Sequence, residues 1–463
     1  MQIEIYNSYC HIKEINKKEH NYLNELCSFY IQGFQYSDKY KEDIWDGKKH
    51  LYQYNKFPTG LIPYLWDKIK IKYIDKRIKP TINPFNPNLL HNLRDYQIEA
   101  IKICYKHARG IIELPTGSGK TLIFCSLIRL YNVSTIMLVH RSNLADQSIK
   151  IYNQLYGKNE SIVAIGYKEL EYTLQQNKYK FVATTFQSLH QLMKKYKSMK
   201  QIKMYGNLIN QFSMLIIDEG HTLPASTFYP VVQSLYTTYY RYLFSGTPLS
   251  REDNKNLITI GAIGDIIFKK KIQVLSDQGY LTPIKVKIIP IYYQYYKRII
   301  DYQEIYKIFY TENTLINNQI INLSKIISYP SIIFCNTIEH CENIYNSLKN
   351  NINKNIKIVT GKVNRNERIE IIELTKNNKI DIIIATQVFN EGIDIPNLAS
   401  IILCSGGKSV IQLLQRIGRG TRLYKNKQNI IIYDINVIGN IYTEAHNEKR
   451  KKEYKNQNII IFE

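Results

Sequence analysis

Cysteine is sparse and scattered, seven residues in 463, and no two stand at Cys-x-x-Cys spacing. A zinc ribbon or a disulfide framework is therefore not expected, and a reducing compartment fits better. The nearest pair, Cys335 and Cys341, does not change this, because Cys335 lies in an apolar run that reads as a buried strand. No apolar run approaches the roughly 18 residues that a membrane span needs. The amino end, Met1-Gln2-Ile3-Glu4-Ile5-Tyr6, lacks the apolar centre of a signal peptide. Acidic residues are also short, 39 Asp+Glu against 62 Lys+Arg, for a formal net charge of +23. The expectation is a soluble cytoplasmic protein without a membrane partner, suited to a polyanion, of which nucleic acid is the commonest. An AT-rich coding sequence would enrich Lys, Asn, Ile and Tyr in the same way, so charge alone does not decide.

The length allows about three domains. Residues 1–88 read as a small α/β block, with a strand over Gln2–Tyr6 and amphipathic helices over Glu19–Tyr30 and Gly60–Ile69. Its Trp45-Asp46-Gly47-Lys48-Lys49 turn and many tyrosines suit nucleic-acid contact by charge and stacking through Trp45, Lys48 and Lys49. Trp45 serves equally well as the core of a small domain. Pro80, Pro84 and Pro87 mark a linker. Beyond it, apolar strands alternate with helical stretches at Ser134–Val139, Phe181–Thr184, Met214–Ile217 and Tyr242–Phe244. A second series follows Pro283, at Ile284–Ile291, Ser331–Cys335, Ile356–Thr360, Ile380–Thr386, Ala399–Cys404 and Ile430–Asp434. Such alternation predicts parallel sheets wrapped by helices, with ligands at the carboxyl ends of the strands. The divisions expected are 1–88, a lobe over 89–284, a second lobe over 285–440, and a basic tail over 441–463.

The chemistry centres on Leu114-Pro115-Thr116-Gly117-Ser118-Gly119-Lys120-Thr121, between an apolar strand and a helix. Gly117 and Gly119 let backbone N–H groups of the Thr116–Thr121 loop face phosphate oxygens, and the helix dipole adds positive potential. Lys120 would reach the outer phosphates and Thr121 a magnesium ion. Met214-Leu215-Ile216-Ile217 runs into Asp218-Glu219, an apolar strand ending in two acids. Asp218 can hold magnesium, and Glu219 can polarise the water that attacks the γ-phosphate; adjacent acids also occur in plain turns. Arg416, Arg419 and Arg422 recur every third residue, an edge suited to phosphate charge or to a salt-bridged helix. There is one phosphate loop for two lobes, so one lobe binds ATP and the other closes on it.

In this order the segments resemble the superfamily 2 helicases from about Leu93 to Arg422. The resemblance implies two RecA-like parallel-sheet lobes in tandem, ATP and Mg2+ as cofactors, and roles for further residues. Leu93-Arg94-Asp95-Tyr96-Gln97 is similar to the adenine-reading motif, with Gln97 on the adenine edge and Arg94 on its face. His140 and Arg141, then Thr184 and Gln187, occupy strand-contacting motifs of the first lobe. His221, Ser245 and Thr247 occupy motifs that couple hydrolysis to movement. In the second lobe Thr360, Gly361 and Thr386 take nucleic-acid-contacting places, Gly392 and Asp394 face the nucleotide, and Gln415, Arg419 and Arg422 meet the γ-phosphate.

Asp218-Glu219-Gly220-His221 differs from the Asp-Glu-Ala-Asp of the large RNA-helicase group. Arg251-Glu252-Asp253 resembles an element of XPB-type DNA helicases, and the run from Ile44 to Ile62 is similar to the amino-terminal domain of the UvsW family of phage recombination helicases. That resemblance implies an ATP-dependent DNA helicase or translocase acting on branched DNA (forks, junctions or R-loops), in host cytoplasm if the protein is viral, and as a monomer. The alternative is a helicase of RNA or RNA–DNA hybrids, such as a transcript-release factor.

Overall fold

The computed structural model describes all residues except 67, 91, 158, 197–198, 221–224, 250–255, 296–300, 387–394, 405–423, 425–426 and 463. Arg251, Glu252 and Asp253 therefore lie outside the described residues, as do His221, Gly392, Asp394, Gln415, Arg419 and Arg422. The chain divides into two compact units, Met1–Glu113 with Gly119–Lys269, and Leu114–Ser118 with Lys270–Glu463.

In the first unit the amino-terminal block holds β1 (Gln2–Ile5), β2 (Tyr9–Glu14), β3 (Ser28–Tyr30), β4 (Lys48–His50), β5 (Lys56–Pro58) and β6 (Lys72–Asp75). Four of these form a sheet in the order β5-β2-β1-β6, and β3 pairs with β4. Alternation places Ile3, Ile5, Cys10 and Ile12 on the buried face. The helix expected to run to Tyr30 spans Lys17–Leu26 instead, opened by an Asn16–Glu19 capping box, and β3 follows it.

Next come β7 (Arg109–Glu113), β8 (Thr135–Val139), β9 (Ser161–Val163), β10 (Phe181–Thr185), β11 (Met214–Asp218), β12 (Tyr240–Ser245) and β13 (Ile266–Lys269). They make one sheet in the order β13-β7-β12-β11-β8-β10-β9, with every pairing parallel. The edge strands β9 and β13 were not legible, since three or four half-buried residues carry little periodic signal.

Proline content predicts a block held apart by its linker, but the structure joins the two. Residues of the block, from Ile3 to Ile69, share one apolar core with residues of the lobe such as Ile258, Ala262 and Ile263. A Cβ on Gly60 would lie 2.1 Å from the Ile260 carbonyl oxygen, so only glycine permits this backbone approach. Asn7 Nδ2 donates to the Thr237 carbonyl at 2.8 Å, and Tyr64 OH to Asp265 at 2.7 Å. The linker itself packs down, with Phe85 edge-on to Tyr105 and the Tyr105 hydroxyl donating to the Asn83 carbonyl.

The second unit holds β14 (Ile284–Tyr292), β15 (Ser331–Phe334), β16 (Ile356–Val359), β17 (Ile382–Ala385), β18 (Ser400–Leu403), β19 (Ile430–Ile438) and β20 (Ile460–Phe462). Their order is β16-β17-β15-β18-β19-β14-β20, again with parallel pairings. Apolar clusters cover its two faces. The segment expected as a basic tail contributes the helix Ile441–Asn456 and then β20. Arg450 in its basic run is buried, with Nε 3.0 Å from Asp434 Oδ2 and Tyr454 OH donating to the same carboxylate at 2.9 Å. The ion pair takes Arg450 alone into the core, while Lys449 and Lys452 of the same run stay on the solvated face. Among the described residues no helix is long and apolar enough to cross a membrane, and all seven cysteines are free and buried.

Candidate active site

Three adjacent strands of the first sheet deliver the chemistry-bearing residues at their carboxyl ends. The strand β7 leads into the glycine loop, β11 ends in Asp218-Glu219, and β12, which pairs with both, ends at Ser245. This edge is where parallel α/β sheets gather ligands.

Within the loop Gly117 and Gly119 have φ of +84° and +77°, a left-handed conformation that glycine adopts without strain. Thr116 is half-buried, Ser118 is 1% exposed, and the helix begins at Lys120 with Thr121 in its first turn. A Cβ on Gly119 would stand 2.5 Å from Gln97 Nε2, so the Gln97 amide lies against the loop. Gln97 is held there by the start of its own helix, where its Oε1 accepts from the Arg94 backbone N–H at 3.0 Å. The adenine-motif residues Arg94 and Gln97 and the helix-start residues Gly119, Lys120 and Thr121 thus occupy one end of the lobe.

Lys120 Nζ is 3.1 Å from Glu219 Oε1. Glu219 has φ of +53°, unusual for a residue with a side chain, and its N–H donates to the Phe244 carbonyl at 3.0 Å. Strain of this kind concentrates at functional sites. Its other oxygen accepts from Ser245 Oγ at 3.0 Å, and Ser245 Oγ accepts from the Thr247 N–H at 3.2 Å. A hydrogen-bonded series therefore links Lys120, Glu219, Ser245 and the Thr247 N–H. The sequence places Lys120, Glu219 and the Ser245–Thr247 pair in three separate motifs, and the pairing of β11 with β12 reveals the link.

Asp218 is 8% exposed, and its Oδ1 has no hydrogen-bond partner among the described residues. Burial, then the adjacent Glu219 charge, pushes its carboxyl up to about 7, while Lys120 acts in the opposite direction. The Asp218 carboxylate, buried with one oxygen unpartnered, is a hard-oxygen donor of the kind magnesium takes, although no group of three or more His, Cys, Asp or Glu side chains suited to a metal occurs among the described residues.

The expected strand-contacting residues of this lobe lie along the same edge, beyond β11. His140 and Arg141 follow β8, half-buried and exposed, and Gln187 is exposed in the helix after β10. Thr184 is different: it is fully buried, and its hydroxyl donates to the Ala164 carbonyl at 2.6 Å. In the second unit Thr360 and Gly361 follow β16, and Thr386 follows β17. Thr360 and Thr386 are 4% and 7% exposed, whereas Gly361 is exposed. In the block, Trp45 is half-buried and its indole N–H donates to the Lys48 carbonyl at 2.8 Å, which makes it a brace for the turn. Lys48 Nζ sits 4.8 Å above the Tyr30 ring, and Lys49 is its neighbour on β4.

Residues 90–250 match the family model described as type III restriction enzyme, res subunit, and residues 314–424 match the helicase conserved C-terminal domain. The putative helicase 22 of Sulfolobus islandicus filamentous virus is 29% identical over 74% of this chain and 64% of its own, so under two thirds of that relative is covered. The DNA 3'-5' translocase XPB2 of Sulfurisphaera tokodaii is 25% identical over 73% of this chain and 80% of its own. The ATP-dependent DNA helicase uvsW of Enterobacteria phage T4 is 24% identical, and that match covers 100% of this chain and 95% of the phage protein.

Proposed function

Because this chain is an ATP-hydrolysing helicase of superfamily 2, of the UvsW and XPB type, we propose that it translocates on DNA and remodels branched DNA such as forks, junctions and R-loops. The observation that carries the reading is the reach of the phage match. It includes residues 1–88, which the matches to the other two relatives, at 74% and 73% of the chain, do not require. The net charge of +23 supports a nucleic-acid substrate.

In this reading the Thr116–Thr121 loop holds the phosphates of ATP through backbone N–H groups and Lys120, and Gln97 and Arg94 take the adenine. Asp218 and Thr121 would hold magnesium, which when bound offsets phosphate charge. Glu219 orients and polarises the attacking water. Gly392 and Asp394 face the nucleotide, and Gln415, Arg419 and Arg422 meet the γ-phosphate. Closing and reopening of the lobes 89–284 and 285–440 moves the chain along one strand, with His221, Ser245 and Thr247 passing hydrolysis on to movement. His140, Arg141, Thr184, Gln187, Thr360, Gly361 and Thr386 serve the nucleic-acid track of the two lobes, and Trp45, Lys48 and Lys49 that of the block. Thr184 would do so by shaping backbone, since its hydroxyl is committed to Ala164.

The test is the ATPase rate of the full chain across single-stranded, linear duplex, forked and four-way DNA, RNA and RNA–DNA hybrid. Strongest stimulation by forked or four-way DNA is expected. Strongest stimulation by RNA or the hybrid would overturn the DNA reading in favour of a transcript-releasing helicase.

A further inference from the structure

We propose that the open face of the amino-terminal four-stranded sheet is a binding platform for single-stranded nucleic acid, distinct from the Trp45 turn. This rests on the reading that the chain acts on nucleic acid. One face of that sheet is spent on the core through Ile3, Ile5, Cys10, Ile12 and Phe57, none more than 3% exposed. The register fixes what the other face carries. Gln2 pairs with Lys72 and Glu4 with Ile74, and Lys76 continues the ladder by donating its N–H to the Ile5 carbonyl. Across the sheet His11 pairs with both Glu4 and Lys56.

This face has both ingredients of a strand-binding surface. Tyr6 and Tyr9 are stacked with ring centroids 4.9 Å apart, and Lys56 Nζ lies 4.7 Å over the Tyr9 ring. Lys13, Lys56, Lys72 and Lys76 are all exposed, so four lysines stand against two acids, Glu4 and Glu14, the latter opposite Gln2. Glu4 is engaged by Lys13 at 3.3 Å and by the Tyr6 hydroxyl at 3.1 Å, so it neutralises Lys13 and leaves Lys56, Lys72 and Lys76 in excess over Glu14. Aromatic rings among cations on an open sheet stack bases and meet phosphates without reading sequence. An apolar docking partner would find little here, because Ile74 is the one large aliphatic side chain on the outward rows. The sheet is also anchored to the ATPase lobe at its Asn7-Ser8 turn, so a strand held here is held against the motor.

The experiment measures affinity of the full-length protein for a fluorescent oligo(dT) by anisotropy, from low to high salt. Lys56→Gln with Lys72→Gln should weaken binding most at low salt and make the slope of log K against log salt shallower by about 1.4, at roughly 0.7 per single-strand phosphate. Tyr9→Leu should weaken binding roughly fivefold or more with the slope unchanged, and Tyr9→Phe should restore it. Circular dichroism and the unfolding midpoint check that each variant is folded, and Tyr9→Phe keeps the stacking test valid if Tyr9→Leu is not. Lysine variants that bind with wild-type affinity and slope overturn the platform. So do variants that lose only binding of polyglutamate, which would make the face a protein-docking surface. A wild-type chain that binds no nucleic acid sinks the proposed function itself, a separate outcome.

Discussion

Lys120 Nζ and Glu219 Oε1 stand 3.1 Å apart, the side chains 10% and 18% exposed. The pair joins the phosphate loop to the end of β11 before any nucleotide is considered, and it lets a buried lysine and a strained glutamate stabilise each other. ATP would have to draw Lys120 toward its phosphates, which releases Glu219 toward water. The pair thus sets the two residues with proposed roles in hydrolysis side by side.

Lys120→Ala is expected to abolish ATP hydrolysis while the chain stays folded, since the side chain ends on the Glu219 carboxylate at the edge of the sheet. Glu219→Gln should bind ATP and DNA but turn over slowly, because geometry persists and the polarising carboxylate is lost. Steady-state hydrolysis and nucleotide binding by fluorescence separate the two. Near wild-type turnover in either variant would reject its assigned role.

Ser245→Ala removes the hydroxyl that bridges Glu219 and the Thr247 N–H. The expected result is ATP hydrolysis within about tenfold of wild type, a loss on the order of 1.4 kcal/mol or less in the barrier, together with a larger fall in strand separation. Hydrolysis and unwinding measured on one forked substrate check this. An equal fall in both would make Ser245 a plain support for Glu219.

Arg419→Ala and Arg422→Ala should each lower kcat far more than nucleotide affinity, by roughly 10³–10⁵ for an arginine that meets charge developing in phosphoryl transfer. Weakened DNA binding at unchanged kcat would instead assign them to the phosphate backbone of the substrate.

Burial of His340 pushes its imidazole down to about 4. It is 0% exposed, and its Nδ1 lies 2.9 Å from the Tyr306 hydroxyl. That hydroxyl accepts from the Asn336 N–H, so its own proton is available to Nδ1 and the neutral ring is favoured. A depressed folded pKa means the associated stability is whole above the unfolded value near 6.5 and is lost as pH falls toward 4. The second lobe should therefore lose about 3 kcal/mol across that window from this group. Thermal unfolding of the wild type and His340→Gln between pH 4 and pH 7 tests it: the variant should start less stable and show a flatter dependence. Parallel curves would remove His340 as the source.

How much of this was legible depended on how locally each feature is encoded. The glycine loop, the Asp218-Glu219 strand end and most of the strands are contiguous patterns, and the two parallel sheets could be read from them. Links between patterns could not. Ser245 touching Glu219 depends on β12 lying beside β11, and Gln97 reaching Gly119 depends on a capped helix meeting the loop from elsewhere in the chain. The segment 441–463 was misleading for a related reason: one buried carboxylate, Asp434, turns Arg450 from a surface cation into a core residue. The prolines of residues 80–87 likewise predict an extended linker without revealing that it packs against Tyr105.

The join between block and lobe supplies the last prediction. Arg241 is 0% exposed and sends Nη2 to Ser8 Oγ at 2.5 Å, while Nε and Nη1 donate to the Thr238 and Ala262 carbonyls. Arg109, at the start of the strand that leads to the phosphate loop, donates to the Asn7 carbonyl. Both guanidiniums thus grip the same turn of the block from beneath the ATPase sheet. Removing the Ser8 hydroxyl leaves a buried cation one acceptor short, so Ser8→Ala should cost about 1.5–3 kcal/mol, the range for hydrogen bonds to charged groups. Deleting residues 1–88 should cost far more, because it takes the Asn7 carbonyl from Arg109 and Ser8 from Arg241 and exposes the lobe's side of a shared apolar core. The truncated chain is expected to be insoluble or to melt well below the full-length protein, with any loss of DNA response secondary to that. Differential scanning calorimetry of the full chain, Ser8→Ala and the truncation, each with its DNA-free ATPase rate, decides the matter. A truncation that stays soluble, melts with the full-length protein and hydrolyses ATP normally would show the block to be dispensable to the lobe.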